Sequence, residues 1–138
     1  MSRKSAREEA MKLVYQLIMN KTSSMEIIKD YYENLEKELT VEEKEYIESC
    51  VEGVEENTAD IDKYIEEYSK GWKINRISKV DLAIMRLSIY EMLKRQDVPN
   101  ASSVNEAVEL AKKYSGEKSS AFINGILGNV IKVLGKDV

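Results

Sequence analysis

Apolar residues recur along almost the whole chain in steps of three and four, the repeat that lines one face of an α-helix. Ala6, Ala10, Leu13 and Leu17 predict a first helix behind an N-cap at Ser2, ending at Asn20 and the polar run Lys21-Thr22-Ser23-Ser24. A second starts near Ser23 or Ser24 and turns Ile27, Ile28, Tyr31 and Leu35 inward. Thr40-Val41-Glu42-Glu43 reads as a capping box, in which the Thr and Glu side chains satisfy each other's free backbone donors. The helix behind it runs through Ile47, Cys50, Val51 and Val54. Asn57-Thr58 restarts the chain into a shorter helix with Ile61, Tyr64, Ile65 and Tyr68, closed by Gly71.

The strongest segment spans 79–95 behind a cap at Ser78, with Leu82, Ile84, Met85, Leu87, Ile89, Tyr90 and Leu93 making it apolar on most sides. A helix of that kind belongs at the centre of a bundle. Asp97-Val98-Pro99-Asn100 breaks it. Ser103-Val104-Asn105-Glu106 reads as a second capping box, opening a helix that ends at Gly116. The last helix starts near Ser119 or Ser120, carries Ile123, Ile126, Leu127, Val130 and Leu134, and stops at Gly135. Nothing alternates with a period of two. The expectation is therefore an all-α fold, a compact bundle of about seven helices forming one domain over residues 1–138.

Composition narrows the chemistry. The 138 residues include no His and one Cys, so Ser-His-Asp and Cys-His catalysis, His-ligated metals, thiolate zinc clusters and an intrachain disulfide are excluded. A single Cys fits a reducing cytoplasm. No run of about 18 apolar residues exists to span a membrane, and Glu8, Glu9 and Lys12 interrupt the N-terminal apolar positions, unlike a signal peptide. The net charge of −4 is a sum over unlike segments. Residues 1–21 carry five bases and two acids, 22–70 five bases and sixteen acids, and 71–138 eleven bases and seven acids. An anionic partner is compatible with that total, because charges act locally within a Debye length.

Glu42, Glu43, Glu45, Glu48, Glu52, Glu55 and Glu56 form the most acidic stretch, read as a solvated helix face because no His completes a di-metal set and no EF-hand loop is present. No pair of carboxylates is singled out for acid–base work, and no Gly-rich phosphate loop occurs, so an enzyme is not expected and no cofactor or metal is assigned. Gly125 and Gly128 suggest a close helix–helix approach, and Cys50 a small buried residue. Lys4 and Arg7 share a flank of the first helix with Met11 and Tyr15, and Arg3 extends that patch at the helix end. It is either a solvated face or a grip for phosphates and bases. Bases in a first turn oppose the helix dipole, which suggests a role other than stability. Phe122, the only Phe, follows Lys112, Lys113, Tyr114 and Lys118 and is either a core-edge aromatic or a base-stacking platform. Trp72 reads as an interhelix plug.

Several stretches, taken in order, resemble the NusB family: Ser2-Arg3-Lys4-x-x-Arg7 leading to Val14-Tyr15; Trp72 followed by 80–87 and Tyr90-Glu91; Asp97-Val98-Pro99; Asn105 to Lys112; and Phe122-Ile123-Asn124-Gly125-Ile126-Leu127. Residues 22–70 match only in helical pattern. The resemblance implies an all-helical domain of two subbundles that binds boxA, a short single-stranded element of ribosomal RNA leaders. It implies binding together with the ribosomal protein NusE, within the RNA polymerase antitermination complex, and no catalysis. It places RNA on Arg3, Lys4 and Arg7 and on Lys113, Lys118 and Phe122, and NusE on the side of Lys79 and Asp81. It implies intrabundle hydrogen bonds for Arg86, Glu91, Asn105 and Asn124, and leaves room for a homodimer. Lys4 stands where the family usually has Arg, with Glu8 and Glu9 close behind, so useful RNA affinity is expected to need NusE. The alternative is a helical protein-interaction scaffold that reads no RNA sequence.

Overall fold

The computed structural model describes residues 2–134, which fold into seven α-helices and one 3₁₀ turn. They are α1 (Arg3–Asn20), α2 (Ser24–Asn34), α3 (Val41–Glu56), α4 (Thr58–Tyr68), the 3₁₀ turn Ile74–Arg76, α5 (Lys79–Lys94), α6 (Asn100–Tyr114) and α7 (Glu117–Leu134). The expected stop at Gly135 lies outside the described residues.

Local chemistry sets most boundaries. The Ser2, Ser23 and Ser78 hydroxyls accept the backbone N–H of Ser5, Glu26 and Asp81 at 3.0, 3.2 and 3.2 Å, each satisfying one of the orphan donors of a first turn. The Thr40–Glu43 box is complete: Thr40 Oγ1 accepts from the Glu43 N–H at 3.1 Å and Glu43 Oε1 from the Thr40 N–H at 2.7 Å.

Two boundaries differ from the sequence expectation. Pro99 occupies the N-cap of α6, so the helix begins at Asn100 and Ser103 lies inside its first turn, fully buried. Its hydroxyl donates to Glu91 rather than capping anything. Gly116 adopts φ 110°, which turns the chain at once and lets α7 begin at Glu117 instead of near Ser119.

Helix α5 is the centre of the bundle, as its apolar pattern requires. It packs on α1 and α3 on one side and on α4, α6 and α7 on the other, so two groups of helices share one continuous core. Leu82, Ile84, Met85, Leu87 and Ile89 are all buried. Gly53 lets α3 approach it: a Cβ there would stand 2.0 Å from Tyr90 Cε1. Gly125 and Gly128 do not serve that purpose, since a Cβ at either meets nothing within 4 Å.

The acidic stretch does more than face solvent. Glu55 accepts both the backbone N–H and the hydroxyl of Ser24 at the start of α2, at 2.9 and 2.7 Å. Glu48 accepts from Tyr32, and Glu45 pairs with Arg95 at 2.9 Å. Cys50 is buried, and desolvation pushes its thiol up to about 12.

Candidate nucleic-acid interface

The N-terminal bases separate into two kinds. Arg3 is exposed at 43% of its side chain, stacks over the Tyr46 ring at 4.4 Å and reaches Asp97 at 3.5 Å. Lys4 is exposed. Arg7 is not available to a ligand, contrary to the expectation from sequence. It is 5% exposed, and its Nε and Nη2 donate to Glu91 at 3.1 and 2.9 Å, with Glu91 wholly buried. The flank it shares with Met11 and Tyr15 points into the bundle: Met11 is buried and Tyr15 half-buried. Burial works against the guanidinium charge, but the hydrogen bonds and charge of Glu91 outweigh it and hold Arg7 above its ordinary pKa. Tyr46 Oη and Ser103 Oγ also donate to Glu91, at 2.7 and 3.2 Å. Arg7 is a buried structural cation joining α1 to α5.

Glu8, one step on, faces outward and joins α1 to the end of α6. It accepts from Lys113 Nζ at 2.7 Å and from the Tyr114 hydroxyl, and these two bonds hold its carboxyl below the usual range. Lys113 is thus exposed but already paired with a carboxylate.

Just beyond the α6–α7 turn, Phe122 is half-buried and meets Trp72 edge to face, with ring centroids 6.2 Å apart and planes at 71°. Trp72 is not an interhelix plug; half of it (51%) faces solvent. The two rings wall a cavity of about 340 Å³ shared with Arg76, Asp81, Lys118 and Ser119, and a second of about 260 Å³ on the side of Lys70, Gly125 and Asn129. Lys118 and Arg76 stand exposed at the first cavity's rim.

Asp81, expected to face a protein partner, is only 6% exposed; its Oδ2 accepts from the Ser119 hydroxyl at 2.9 Å. Lys79 is exposed. Of the four positions given intrabundle roles, Glu91 and Arg86 have them: Arg86 pairs in two places with Asp62, at 2.9 and 2.7 Å. Asn105 and Asn124 are exposed instead.

Sequence reasoning passed over one basic element. From Ser69 to Val80 there are four bases, Lys70, Lys73, Arg76 and Lys79, three residues apart with no acid between them. That spacing was the available signal, and the structure sets this segment beside the aromatic pair.

The family model described as NusB family matches residues 4–132. The transcription antitermination protein NusB of Acetivibrio thermocellus is 56% identical over 96% of this chain and 90% of its own length. That of Clostridium novyi is 49% identical over 96% and 99%. Among solved structures, NusB of T. maritima has a TM-score of 0.84 at 32% identity, covering 96% of this chain and 92% of that one. A structure of antitermination factors NusB and NusE in complex with dsRNA has a TM-score of 0.81 at 26% identity, covering 95% and 96%. By the extent of these matches and the order of its helices, the chain belongs to the NusB family.

Proposed function

We propose that the chain is a transcription antitermination factor that binds boxA single-stranded RNA of ribosomal RNA leaders together with the ribosomal protein NusE. It then acts on elongating RNA polymerase in the cytoplasm, as a binding module rather than an enzyme. The observation that carries this reading is the aromatic pair of half-exposed Trp72 and half-buried Phe122 flanked by Lys118 and Arg76, an arrangement suited to stacking bases while neutralising phosphates. The likeness to a NusB solved with NusE and RNA supports it. Arg3 and Lys4 extend the basic surface at the other end of α5, and Lys79 offers the partner protein an exposed cation beside the buried Asp81.

With Arg7 withdrawn and Lys113 paired to Glu8, four exposed bases (Arg3, Lys4, Arg76 and Lys118) remain to meet phosphates, giving a slope of log affinity against log salt of about −3. So small a term requires the partner for useful affinity. Gel-shift titration of boxA and a scrambled RNA, with and without NusE, tests the proposal. A boxA preference that sharpens when NusE is added is expected. Equal, weak binding to both RNAs would instead favour a protein-interaction scaffold.

A further inference from the structure

We propose that Lys70 and Lys73, joined to the boxA surface through Arg76, form a phosphate track for RNA that flanks boxA, gripping its backbone without reading its sequence. The inference rests on the RNA reading above and extends it to a further stretch of the strand, on two bases of the α4–α5 connection that boxA itself does not use.

Three observations converge. The first is unused charge. Of the five arginines in the chain, Arg3, Arg7, Arg86 and Arg95 each pair with a carboxylate. Arg76 forms no ion pair among the described residues, and neither do Lys70 and Lys73. All three are exposed, and no acid interrupts residues 68–80. Glu66 reaches this segment at the Ile74 N–H, 3.5 Å away, rather than at a base. The second is spacing on a fixed backbone. The Arg76 N–H closes a turn onto the Lys73 carbonyl at 2.9 Å, which sets the two bases about one 3₁₀ turn, about 6 Å, apart. Lys70 stands three residues further back. The buried Ser69 hydroxyl donates to the Trp72 carbonyl at 2.7 Å, and Ile77 is anchored in the core, so the segment is ordered before any ligand arrives. Cations presented in that way lose little freedom on binding.

The third is continuity. Arg76 and Lys118 line one cavity and Lys70 lines the neighbouring one, with half-exposed Trp72 shared by both. A strand held at Lys118 and Arg76 therefore meets Lys73 and Lys70 next. Contact through lysines to phosphate oxygens positions a strand but carries no sequence information. An acidic peptide would also be drawn to these bases, but the run of bases continues directly from the surface given to RNA, and that continuity favours more of the same strand.

The test compares a labelled RNA limited to boxA with the same RNA extended by about six nucleotides on its 5′ or its 3′ side. Each is titrated by anisotropy against the full chain with NusE present, at several salt concentrations. One of the two extensions is expected to tighten binding and to steepen the slope of log affinity against log salt by about 1.4, two further phosphates at about 0.7 each. Raising salt from about 50 to about 200 mM then weakens the extended RNA about sevenfold more than the short one. Scrambling the extension should leave the gain intact. Lys70→Gln with Lys73→Gln should remove the gain and leave the short RNA unchanged, while Lys70→Arg with Lys73→Arg should keep it. Lys21→Gln with Lys29→Gln, the same loss of charge at the α1–α2 corner, should also keep it. No gain on either side, or a gain that survives Lys70→Gln with Lys73→Gln, would overturn the track while short-RNA binding leaves the RNA reading standing. Loss of the gain in the Lys21→Gln, Lys29→Gln control would reduce it to a general field effect and overturn the track equally. A gain that vanishes when the extension is scrambled would mean base reading and contradict a phosphate track. If Lys70→Gln with Lys73→Gln weakened NusE binding in the absence of RNA and left the extension's gain in place, the bases would belong to the protein partner. No binding of the short RNA with NusE present would bring down the RNA reading and this inference with it.

Discussion

The Arg7 guanidinium and the Glu91 carboxylate are both withdrawn from water, and each compensates the other's burial. Removing one partner of such a pair is far more damaging than the pair is stabilising, because the survivor keeps its desolvation cost and loses its compensation. Arg7→Ala is therefore expected to lower unfolding stability by about 3–5 kcal/mol in urea titrations. RNA affinity should change little at temperatures where the variant is folded, whereas a surface phosphate contact would give the opposite result. Cys50 belongs to the same interior. With its thiol fully buried and pushed up to about 12, it is neutral and inaccessible at about pH 8. A disulfide reagent should leave it unmodified in the native chain and label it on unfolding in guanidinium; rapid native labelling would contradict its placement.

At the scale of the elements, helix starts and helix contacts have different origins. Ser2, Ser23, Thr40 and Ser78 cap as their local sequence implies, because a cap needs only a side-chain oxygen two or three residues from a free N–H. Ser103 shows the limit of that logic. It has the same motif, but Pro99 begins the helix earlier, and its hydroxyl goes to Glu91 instead. Gly53 is a contact requirement that no local pattern marks. An added methyl would collide with the Tyr90 ring, so α3 and α5 must separate or Tyr90 must leave its place. Gly53→Ala should destabilise by about 1–3 kcal/mol despite its better helix propensity, measured as a fall in thermal midpoint.

For the whole molecule, α5 is the joint on which both parts of the proposed interface depend. Its Glu91 level fixes α1, and its Asp81 level, ten residues earlier and so about 15 Å away along the axis, carries the aromatic cavity. Glu8 ties the two ends together through Lys113 and Tyr114. Two of the carboxyls that bind the fold together sit below their ordinary pKa: Asp97 through its hydrogen bonds to Arg95, and Glu8 through Lys113 and Tyr114. Since each binds its proton less readily folded than unfolded, the stability it adds is complete above the ordinary carboxylate pKa and is lost as pH falls through the lowered one. Urea midpoints should be nearly flat from about pH 7 to 5 and decline below about pH 4, with Asp97→Asn shallower in that lower range.

The helices, most of their starts, the central place of α5 and the family itself were legible in the residues, because period and caps are set by neighbours within four positions. What Arg7 does was not legible. Its partner is 84 residues away, and the same Arg on the same helix is a phosphate ligand or a buried cation depending only on what packs over it. The acidic stretch is similar, since Glu45, Glu48 and Glu55 found partners on other helices and the coil. Sequence alone thus determined which segments are helical and which face of each is apolar. Tertiary structure decided which charges remain on the surface, because the burial of a charge depends on long-range pairing and on water excluded by other elements.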